Sequence, residues 1–307
     1  PYFGLIAGVK LVFPGPALDG ENLSNLIEDE KVTDAWGVPT VWLGLLAHKR
    51  QKGETFSTLK RTLIGGSALP KAMIQEFKEK HNVEAIQGWG MTEMSPLGTV
   101  ATPRPSQRGG DWEKELKLRG TQGRLMFGVE MKIVDAEGND LPHDGESQGE
   151  LLVRGNAVIS GYYENEEATK KAIDADGWFH TGDVSVISPD GFMEIVDRVK
   201  DVIKSGGEWI SSIDLENEAI AHPKLAEAAV IGIRHERWQE RPLLVAVKEP
   251  DAEVTKEEVL QFLEERVAKW WLPDDVVFVD ELPHGATGKL QKAKLRENFK
   301  DYKLPTE

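Results

Sequence analysis

The hydrophobic pattern of this 307-residue chain changes twice, and these changes limit the folds open to it more than any single residue does. From residue 1 to about 117, short apolar runs alternate with helical periodicity, which predicts α/β structure. From about 118 to 198, short strands separated by turns predict a small β-barrel or sheet. From 202 to 307, strands and helices alternate again and predict a compact α+β domain. A chain of this length fits two or three such packed units.

Individual segments indicate particular elements within these parts. A helix is expected to begin near residues 67–70 and to run through Phe77. Residues 83–86 predict a short strand that ends just before a glycine-rich motif. Thr255 and Glu258 have the spacing of a capping box, which predicts the first turn of a helix in the C-terminal part.

Composition argues against several classes of partner. The formal net charge is −15 at pH 7, so neither a nucleic acid nor an anionic membrane surface is attracted to the chain as a whole. The chain has no cysteine, which removes disulfides and thiolate chemistry and is compatible with a cytoplasmic location. Residues 1–13 are apolar but include Lys10 and are too short to span a bilayer. We therefore expect a strand pair or a buried turn there, and no integral membrane segment.

Four short motifs follow one another along the chain. They are Gly88-Trp89-Gly90-Met91-Thr92-Glu93, Trp178-Phe179-His180-Thr181-Gly182-Asp183, Asp197-Arg198-Val199-Lys200-Asp201 with Gly206-Gly207, and Gly285-Ala286-Thr287-Gly288-Lys289. The first comes after an expected strand, and its glycines allow the backbone to approach a flat or anionic ligand closely. Together the motifs indicate a nucleotide site made from several parts of the chain.

Three segments of the sequence resemble better-known motifs but do not match their full patterns. Glu93 stands where a dinucleotide-binding fingerprint needs its third glycine. Pro283 and Leu290 depart from the P-loop pattern around the last motif. Leu69 stands where a hydrolase nucleophile elbow centred on Ser67 needs a glycine, so Ser67 is not expected to be a nucleophile.

In type, spacing and order, the four motifs resemble the adenylate-forming superfamily of acyl-CoA synthetases, luciferases and peptide-synthetase adenylation domains. Within it the chain is most similar to fatty-acyl-CoA ligases, including methylmercaptopropionate-CoA ligases, over essentially its whole length. The resemblance implies that residues 1–198 are the C-terminal part of a large adenylate-binding domain, that 199–201 are a hinge, and that 202–307 form a small mobile domain. It also implies an upstream phosphate-binding loop, so we expect a C-terminal portion of a longer enzyme that is inactive alone.

The same resemblance implies roles at a nucleotide site. Trp89 would stack on adenine, Thr92 would bond the α-phosphate, and Glu93 would hold Mg²⁺, which prefers oxygen ligands shared with phosphate. Asp183 would accept hydrogen bonds from the ribose hydroxyls, and Arg198 would add a second ribose contact. The segment facing the adenine and ATP would consist of Gly66, Ser67, Ala68 and Gly88.

A second set of implied roles lies in the C-terminal part. Lys289 would swing in to bond both the carboxylate and the α-phosphate, a task that suits a point charge on a flexible stem. Lys200 would be the hinge residue. Gly206 and Gly207 would leave room for the pantetheine chain of CoA, and Trp238 would pack on it.

Each of these residues also has a purely structural interpretation, which the residues alone leave open. The first motif could be a tight loop with a core tryptophan, and Asp183 could be a turn aspartate. Arg198 could form a solvated interdomain ion pair, and Ser67 could cap a helix. Residues 206–207 could be an ordinary β-turn, and Lys289 a surface lysine.

The function expected for the intact protein is that of an AMP-forming acid–thiol ligase. It would join a fatty or related carboxylic acid to ATP and then transfer the acyl group from the adenylate to CoA. The alternatives are a peptide-synthetase-type or luciferase-like adenylating enzyme, or an AMP-binding module without turnover. Glu93 and Lys289 argue against the module because they serve transfer chemistry rather than adenine binding. The resemblance makes a homodimer plausible.

Overall fold

The computed structural model describes residues 2–250, 252–284 and 290–306, and its described side chains begin at residue 4. The strands of these residues form three sheets. Residues 285–289, which include Lys289, lie outside the described residues. The α/β class expected from the sequence is confirmed.

The first sheet occupies the N-terminal part of the chain. Its strands are β1 (Asp34–Gly37), β2 (Arg61–Ile64), β3 (Glu84–Gly90), β4 (Leu97–Val100) and β5 (Arg124–Leu125). The helices of this part are α1 (Tyr2–Ile6), α2 (Gly20–Asp29), α3 (Pro39–Lys52), α4 (Lys71–His81) and α5 (Trp112–Arg119). Strands β1 to β3 are parallel, whereas β4 and β5 add antiparallel pairs. Helices α2, α3 and α4 bury Trp42, Leu45 and Phe77 in one core.

The extreme N-terminal segment differs from the sequence expectation. Residues 2–6 form α1 rather than a strand, and the amides of Gly8 and Val9 donate to the carbonyls of Leu5 and Gly4 at its end. A strand needs a neighbouring strand for its backbone hydrogen bonds, whereas a helix satisfies them locally. The segment is not buried either, because the exposed fraction of Ile6 is 87%.

Two boundaries around the first motif also differ. Strand β3 continues through Gly90 instead of ending before the motif, because β4 pairs with Gly88, Trp89 and Gly90. Helix α4 begins after Pro70, and no side chain caps it. The interpretation of Ser67 as a helix cap is therefore wrong.

The second sheet is antiparallel. Its strands are β6 (Val129–Val134), β7 (Gly149–Gly155), β8 (Phe179–Ile187) and β9 (Met193–Arg198), paired in that order, and α6 (Glu166–Ala172) precedes β8. Of the barrel and the sheet that the sequence allowed, the pairing forms a sheet. Met94, from the turn after β3, is fully buried in the same core as Ile133 and Leu151, so the first and second sheets pack together.

The third sheet belongs to the C-terminal part. Its strands are β10 (Ile203–Ser205), β11 (Glu208–Ile210), β12 (Leu225–His235), β13 (Gln239–Lys248) and β14 (Asp275–Phe278). The helices are α7 (Ser212–Ile220), α8 (Lys256–Glu264) and α9 (Lys292–Asn298). Strand β13 pairs with β12 and β14 and meets β10 at one residue pair. Buried apolar side chains cover both faces of this sheet, and the expected capping box of α8 is present.

None of the helices in the described ranges has both the length and the apolar character needed to cross a membrane.

Candidate functional site

The carboxyl ends of β2 and β3 form the floor of the candidate site. Ile64 pairs with Gln87, so the chain leaves the two parallel strands at the same edge of the sheet. A Cβ on Gly65 would lie 2.9 Å from the carbonyl oxygen of Gly88, so the two backbones meet too closely for a side chain. Residues 66–68 follow and are exposed. Ligands of open α/β sheets bind outside this edge of the strands.

Gln87 supports this edge, and the sequence reasoning missed it. Its side chain is 2% exposed, and its Oε1 accepts a hydrogen bond from the backbone N–H of Leu69 at 3.3 Å. The amide thereby ties the loop after β2 to β3. The available signal was an amide that follows two apolar residues of the strand and stands directly before the glycine motif.

Trp89, Asp183 and Arg198 form the centre of the site. The indole Nε1 of Trp89 donates to Oδ2 of Asp183 at 3.0 Å, and Nη1 of Arg198 lies 2.8 Å from Oδ1. Asp183 and Arg198 are direct cross-strand partners on β8 and β9. Asp183 is therefore a strand residue, and the alternative interpretation as a turn aspartate is wrong, because the antiparallel partner strand continues alongside it. Arg198 likewise pairs within the second sheet.

The Asp183 carboxyl is 2% exposed, whereas half of the Arg198 side chain is exposed. Burial raises the pKa of the Asp183 carboxyl, while the charge of Arg198 and the hydrogen bond from Trp89 act in the opposite direction. An ionised carboxylate has about four lone-pair positions, so the two protein donors leave acceptor positions for hydroxyl groups of a ligand.

Thr92 and Glu93 lie beyond the end of β3, in a single 3₁₀ turn that spans Thr92–Met94. Thr92 is exposed, and Oε1 of Glu93 accepts a hydrogen bond from the hydroxyl of Tyr162 at 3.0 Å. Burial and the bond to Glu93 raise the pKa of Tyr162. The sequence reasoning missed Tyr162, because 69 residues separate it from its partner and no local pattern links them.

The surroundings of Glu93 can be tested against the divalent cation that the motif implies. In the described part of the chain, no group of three or more His, Cys, Asp or Glu side chains could hold a metal ion. A single carboxylate with one oxygen engaged by Tyr162 therefore needs further oxygens from a ligand. Mg²⁺ is commonly held in this way, by one or two carboxylates together with phosphate oxygens and water. The residues fit that ion.

A second candidate surface lies on the third sheet, where Gly206 and Gly207 form the two-residue loop between β10 and β11. Their φ angles are +61° and +90°, the combination that a type I′ hairpin turn requires and that glycine adopts without strain. The backbone N–H of Gly206 donates to the carbonyl of Trp238 at 2.9 Å. The hairpin turn and Trp238 are thus brought together, and the β-turn interpretation is also correct.

The link between the second and third sheets contains Lys200. This residue is exposed, and the turn around it is closed by the backbone amides of Asp201 and Val202, which both donate to the carbonyl of Arg198. Among the described contacts, no hydrogen bond or ion pair joins the Trp89 and Asp183 side chains to the hairpin.

Further contacts join β9 to the C-terminal part. Oδ2 of Asp197 accepts hydrogen bonds from both the backbone N–H and the hydroxyl of Ser212, each at 2.6 Å. The hydroxyl of Ser211 donates to the carbonyl of Val196 at 2.8 Å. Two serines ahead of an acidic helix were a signal for a helix N-terminus, but not for this contact with β9.

Fold and site together define an α/β protein with a glycine-lined sheet edge and a buried acceptor carboxylate, an arrangement of the nucleotide-binding type. Residues 1–163 match the family model for AMP-binding enzymes, and residues 214–289 match the model for the C-terminal domain of AMP-binding enzymes. The chain belongs to the AMP-binding enzyme family.

Individual relatives are similar over nearly the whole chain. A 3-methylmercaptopropionyl-CoA ligase of Ruegeria lacuscaerulensis is 54% identical over 98% of this chain and 55% of its own length. A medium-chain-fatty-acid–CoA ligase of Ectopseudomonas oleovorans is 51% identical over 99% of this chain and 55% of its own. The crystal structure of ATP-bound MatB from Rhodopseudomonas palustris is 30% identical, with a TM-score of 0.81 over 98% of this chain and 57% of that chain. The chain spans about half the length of the relatives it matches.

Proposed function

We propose that the intact protein is an AMP-forming acyl-CoA ligase. A carboxylate oxygen attacks the α-phosphorus of ATP, the bond to the β-phosphate oxygen breaks, and pyrophosphate leaves. The thiol sulfur of CoA then attacks the acyl carbon of the adenylate, its proton is released, and AMP leaves. Adenylation replaces a poor leaving group with a good one, and so divides one difficult step into two easier ones. The Trp89–Asp183–Arg198 arrangement, in a chain of the AMP-binding enzyme family, is the observation that carries this proposal.

The proposed nucleotide contacts follow from the chemistry of these side chains. The two oxygens of Asp183 are fixed by Trp89 and Arg198, so they are preorganised to accept the hydroxyls of a ribose. Trp89 is half-buried and offers a ring on which an adenine can stack. The exposed backbone of residues 66–68, together with Gly88, borders the adenine.

The proposed phosphate contacts come from three other residues. Thr92 is exposed beyond the end of β3 and donates its hydroxyl to the α-phosphate. Glu93 would hold Mg²⁺, which would supply neutralising charge to the phosphates. Lys289 bonds the carboxylate and the α-phosphate during adenylation, where negative charge spreads over both groups.

For the second step we propose that residues 202–307 form a small domain that moves about a hinge at residues 199–201. Rotation about Lys200 exchanges Lys289 for the surface formed by Gly206, Gly207 and Trp238, against which pantetheine lies. The turn around Lys200 lies between the second and third sheets, which supports the position of the hinge. The contact between Gly206 and Trp238 supports a shared surface for pantetheine. Residues 1–198 then belong to the large domain.

The proposed acid is a fatty acid or a related acid, and the relatives named for 3-methylmercaptopropionyl-CoA and for medium-chain fatty acids support that class. We also propose that the protein is cytoplasmic and forms a homodimer. The present chain alone is expected to be inactive, because it spans about half the length of these relatives.

The first test is pyrophosphate release by the full-length protein with ATP and Mg²⁺, across straight-chain, aromatic and methylthio acids, each with and without CoA. We expect release with one acid class, faster when CoA is present, and an acyl-CoA product by mass spectrometry. Release without any acyl-CoA would favour a peptide-synthetase-type or luciferase-like enzyme. If no acid causes pyrophosphate release but calorimetry shows that AMP binds, the protein would be a nucleotide-binding module and not a ligase.

A further inference from the structure

Arg241 is a buried cation that the proposed chemistry does not yet use. It lies on β13, two residues after Gln239, which pairs with Ser205 of β10. Arg241 is 7% exposed. A buried guanidinium is costly unless its donors are satisfied, so its contacts identify what it holds in place.

Four hydrogen bonds satisfy the guanidinium. Its Nε donates to Oδ1 of Asp274 at 2.6 Å, and its Nη2 donates to the carbonyl of Leu272 at 3.0 Å. Its Nη1 donates to the carbonyl of Trp270 at 2.9 Å and to the hydroxyl of Ser205 at 3.2 Å. A planar fork with five N–H donors can make all four bonds at once, whereas a lysine ammonium cannot reproduce their directions.

Arg241 is connected by two chains of contacts to the surface formed by Gly206, Gly207 and Trp238. Through Ser205 it reaches the residue directly before Gly206. Through Trp270, whose ring lies 4.7 Å from the guanidinium carbon, it reaches Trp238, because the two indoles meet edge to face at 4.8 Å between centroids. Arg241 therefore contacts a neighbour of each partner in the contact between Gly206 and Trp238.

The fit at this contact leaves little freedom. A Cβ on Gly206 would lie 3.0 Å from Trp238 and 3.2 Å from Trp270. The neighbouring Glu240 adds a bond from the other face of β13, where its Oε2 accepts the backbone N–H of Lys204 at 2.9 Å. Small shifts of β10 against β13 therefore change the width of the space beside the glycines.

We propose that Arg241 is a positioning residue for the CoA step: it fixes the Gly206–Gly207 turn and Trp238 at the separation that accepts a pantetheine chain. The inference rests on the proposed function and deepens it. None of the described contacts of Arg241 reaches Trp89 or Asp183, so we expect its removal to act on thioester formation and to leave acid activation intact.

The test uses full-length Arg241→Met, Arg241→Lys and Ser205→Ala proteins, with Leu304→Ala as a destabilised control. Leu304 is 3% exposed and belongs to a core cluster of the same part of the chain that includes none of the groups above. Circular dichroism and urea unfolding establish the folded fraction. Acid-dependent pyrophosphate exchange then measures adenylation, and acyl-CoA formation gives kcat and KM for CoA.

For Arg241→Met we expect KM for CoA to rise about tenfold, the size of one or two lost charge-assisted hydrogen bonds, while adenylation stays within about twofold of wild type. Arg241→Lys should recover part of the loss, and Leu304→Ala should leave KM for CoA unchanged. Equal losses in both half-reactions, or an unchanged KM for CoA, would overturn the proposal.

If Arg241→Met does not fold, Ser205→Ala decides, because it removes only the bond to the hairpin and keeps the pair with Asp274. A rise in KM for CoA supports the proposal, and an unchanged value rejects it.

Measurements on the wild-type protein distinguish a failure of the Arg241 proposal from a failure of the proposed ligase function. Adenylation without any CoA-dependent product would reject the ligase function, whereas normal wild-type ligation with unaffected Arg241 variants would reject only the positioning role.

Discussion

The carboxylate of Asp183 receives its two donors from different sheets. Trp89 belongs to β3 of the first sheet, whereas Arg198 belongs to β9 of the second. Because Asp183 is almost fully buried, each donor offsets part of the cost of removing a carboxylate from water. The Trp89–Asp183 bond that shapes the candidate ribose site therefore also joins the first sheet to the second, whereas the Arg198–Asp183 pair lies within the second.

At the residue scale, Trp89→Phe should separate the hydrogen bond from the aromatic surface. The ring remains for stacking, but one oxygen of a buried carboxylate loses its donor, at a cost of about 1.5–3 kcal/mol in unfolding free energy for a bond to a charged group. We expect the KM for ATP of the full-length protein to rise about tenfold. Urea unfolding and initial rates measure both effects.

Trp112→Phe provides the matched control. Trp112 lies on α5, and within the described residues its buried Nε1 has no hydrogen-bond partner. Its replacement therefore changes an indole to a phenyl ring without removing a bond from the nucleotide site. Equal losses of ATP affinity in the two variants would show that ring size matters and that the bond to Asp183 does not.

At the scale of elements, helix α8 forms the capping box that the spacing of Thr255 and Glu258 predicts. Oγ1 of Thr255 accepts the backbone N–H of Glu258 at 3.2 Å, and Oε2 of Glu258 accepts the backbone N–H of Thr255 at 3.3 Å. Val259 and Leu263 then carry the apolar face of the helix into the core. The reciprocal cap satisfies two N–H groups that a helix N-terminus leaves without partners.

Thr255→Ala should lower the unfolding free energy by about 1 kcal/mol, because it removes the side-chain acceptor of the cap. The midpoint of urea unfolding measures the change. Thr255→Ser keeps the hydroxyl and should stay close to wild type. A serine variant as unstable as the alanine variant would contradict the capping explanation.

Elements with a local cause could be predicted from the sequence, and elements that depend on a partner could not. The capping box of α8 lies where the spacing of Thr255 and Glu258 places it. Strands β3 and β8, however, extend into the glycine and aspartate motifs, because β4 and β9 supply hydrogen-bond partners that no local pattern announces.

The candidate site shows the same limit. Its motif residues could be named through their resemblance to a known family, whereas Gln87, Tyr162 and Arg241 could not. Each of these three acts through a contact that depends on the tertiary fold: Leu69 beside Gln87, Glu93 beside Tyr162, and Ser205 beside Arg241. Sequence separations of 18 to 69 residues hide such pairs from any periodic pattern.

For the whole molecule, acid should be destabilising, and His81 is one identifiable cause. Its ring lies among Phe56 and Phe77, is 7% exposed, and has a buried Nε2 without a partner among the described contacts. Burial lowers the pKa of His81 below the ordinary value of 6.5; the charge of Glu76 opposes this shift and that of Lys49 adds to it. The unfolded chain therefore binds this proton more readily than the folded protein does.

As pH falls below about 6.5, the unfolding free energy should decrease until the lower folded pKa of His81 is reached, by at most about 1.4 kcal/mol per pH unit for one proton. His81→Leu removes this contribution, so its stability should fall less between pH 7.5 and pH 5.5. Urea unfolding at constant ionic strength measures both slopes. His143→Gln, at an exposed position, is the control. Parallel slopes for wild type and His81→Leu would contradict the assignment.

Arg198 is the partner of Asp183 and also the residue whose carbonyl closes the turn into the C-terminal part. Gly182 is bound to the same stretch, since its carbonyl accepts the N–H of Val199 at 2.9 Å. Hybrid enzymes that exchange C-terminal parts between relatives should therefore take residues 182–202 from a single parent. A junction inside that stretch would combine the proposed ribose contact of one parent with the turn around Lys200 of the other.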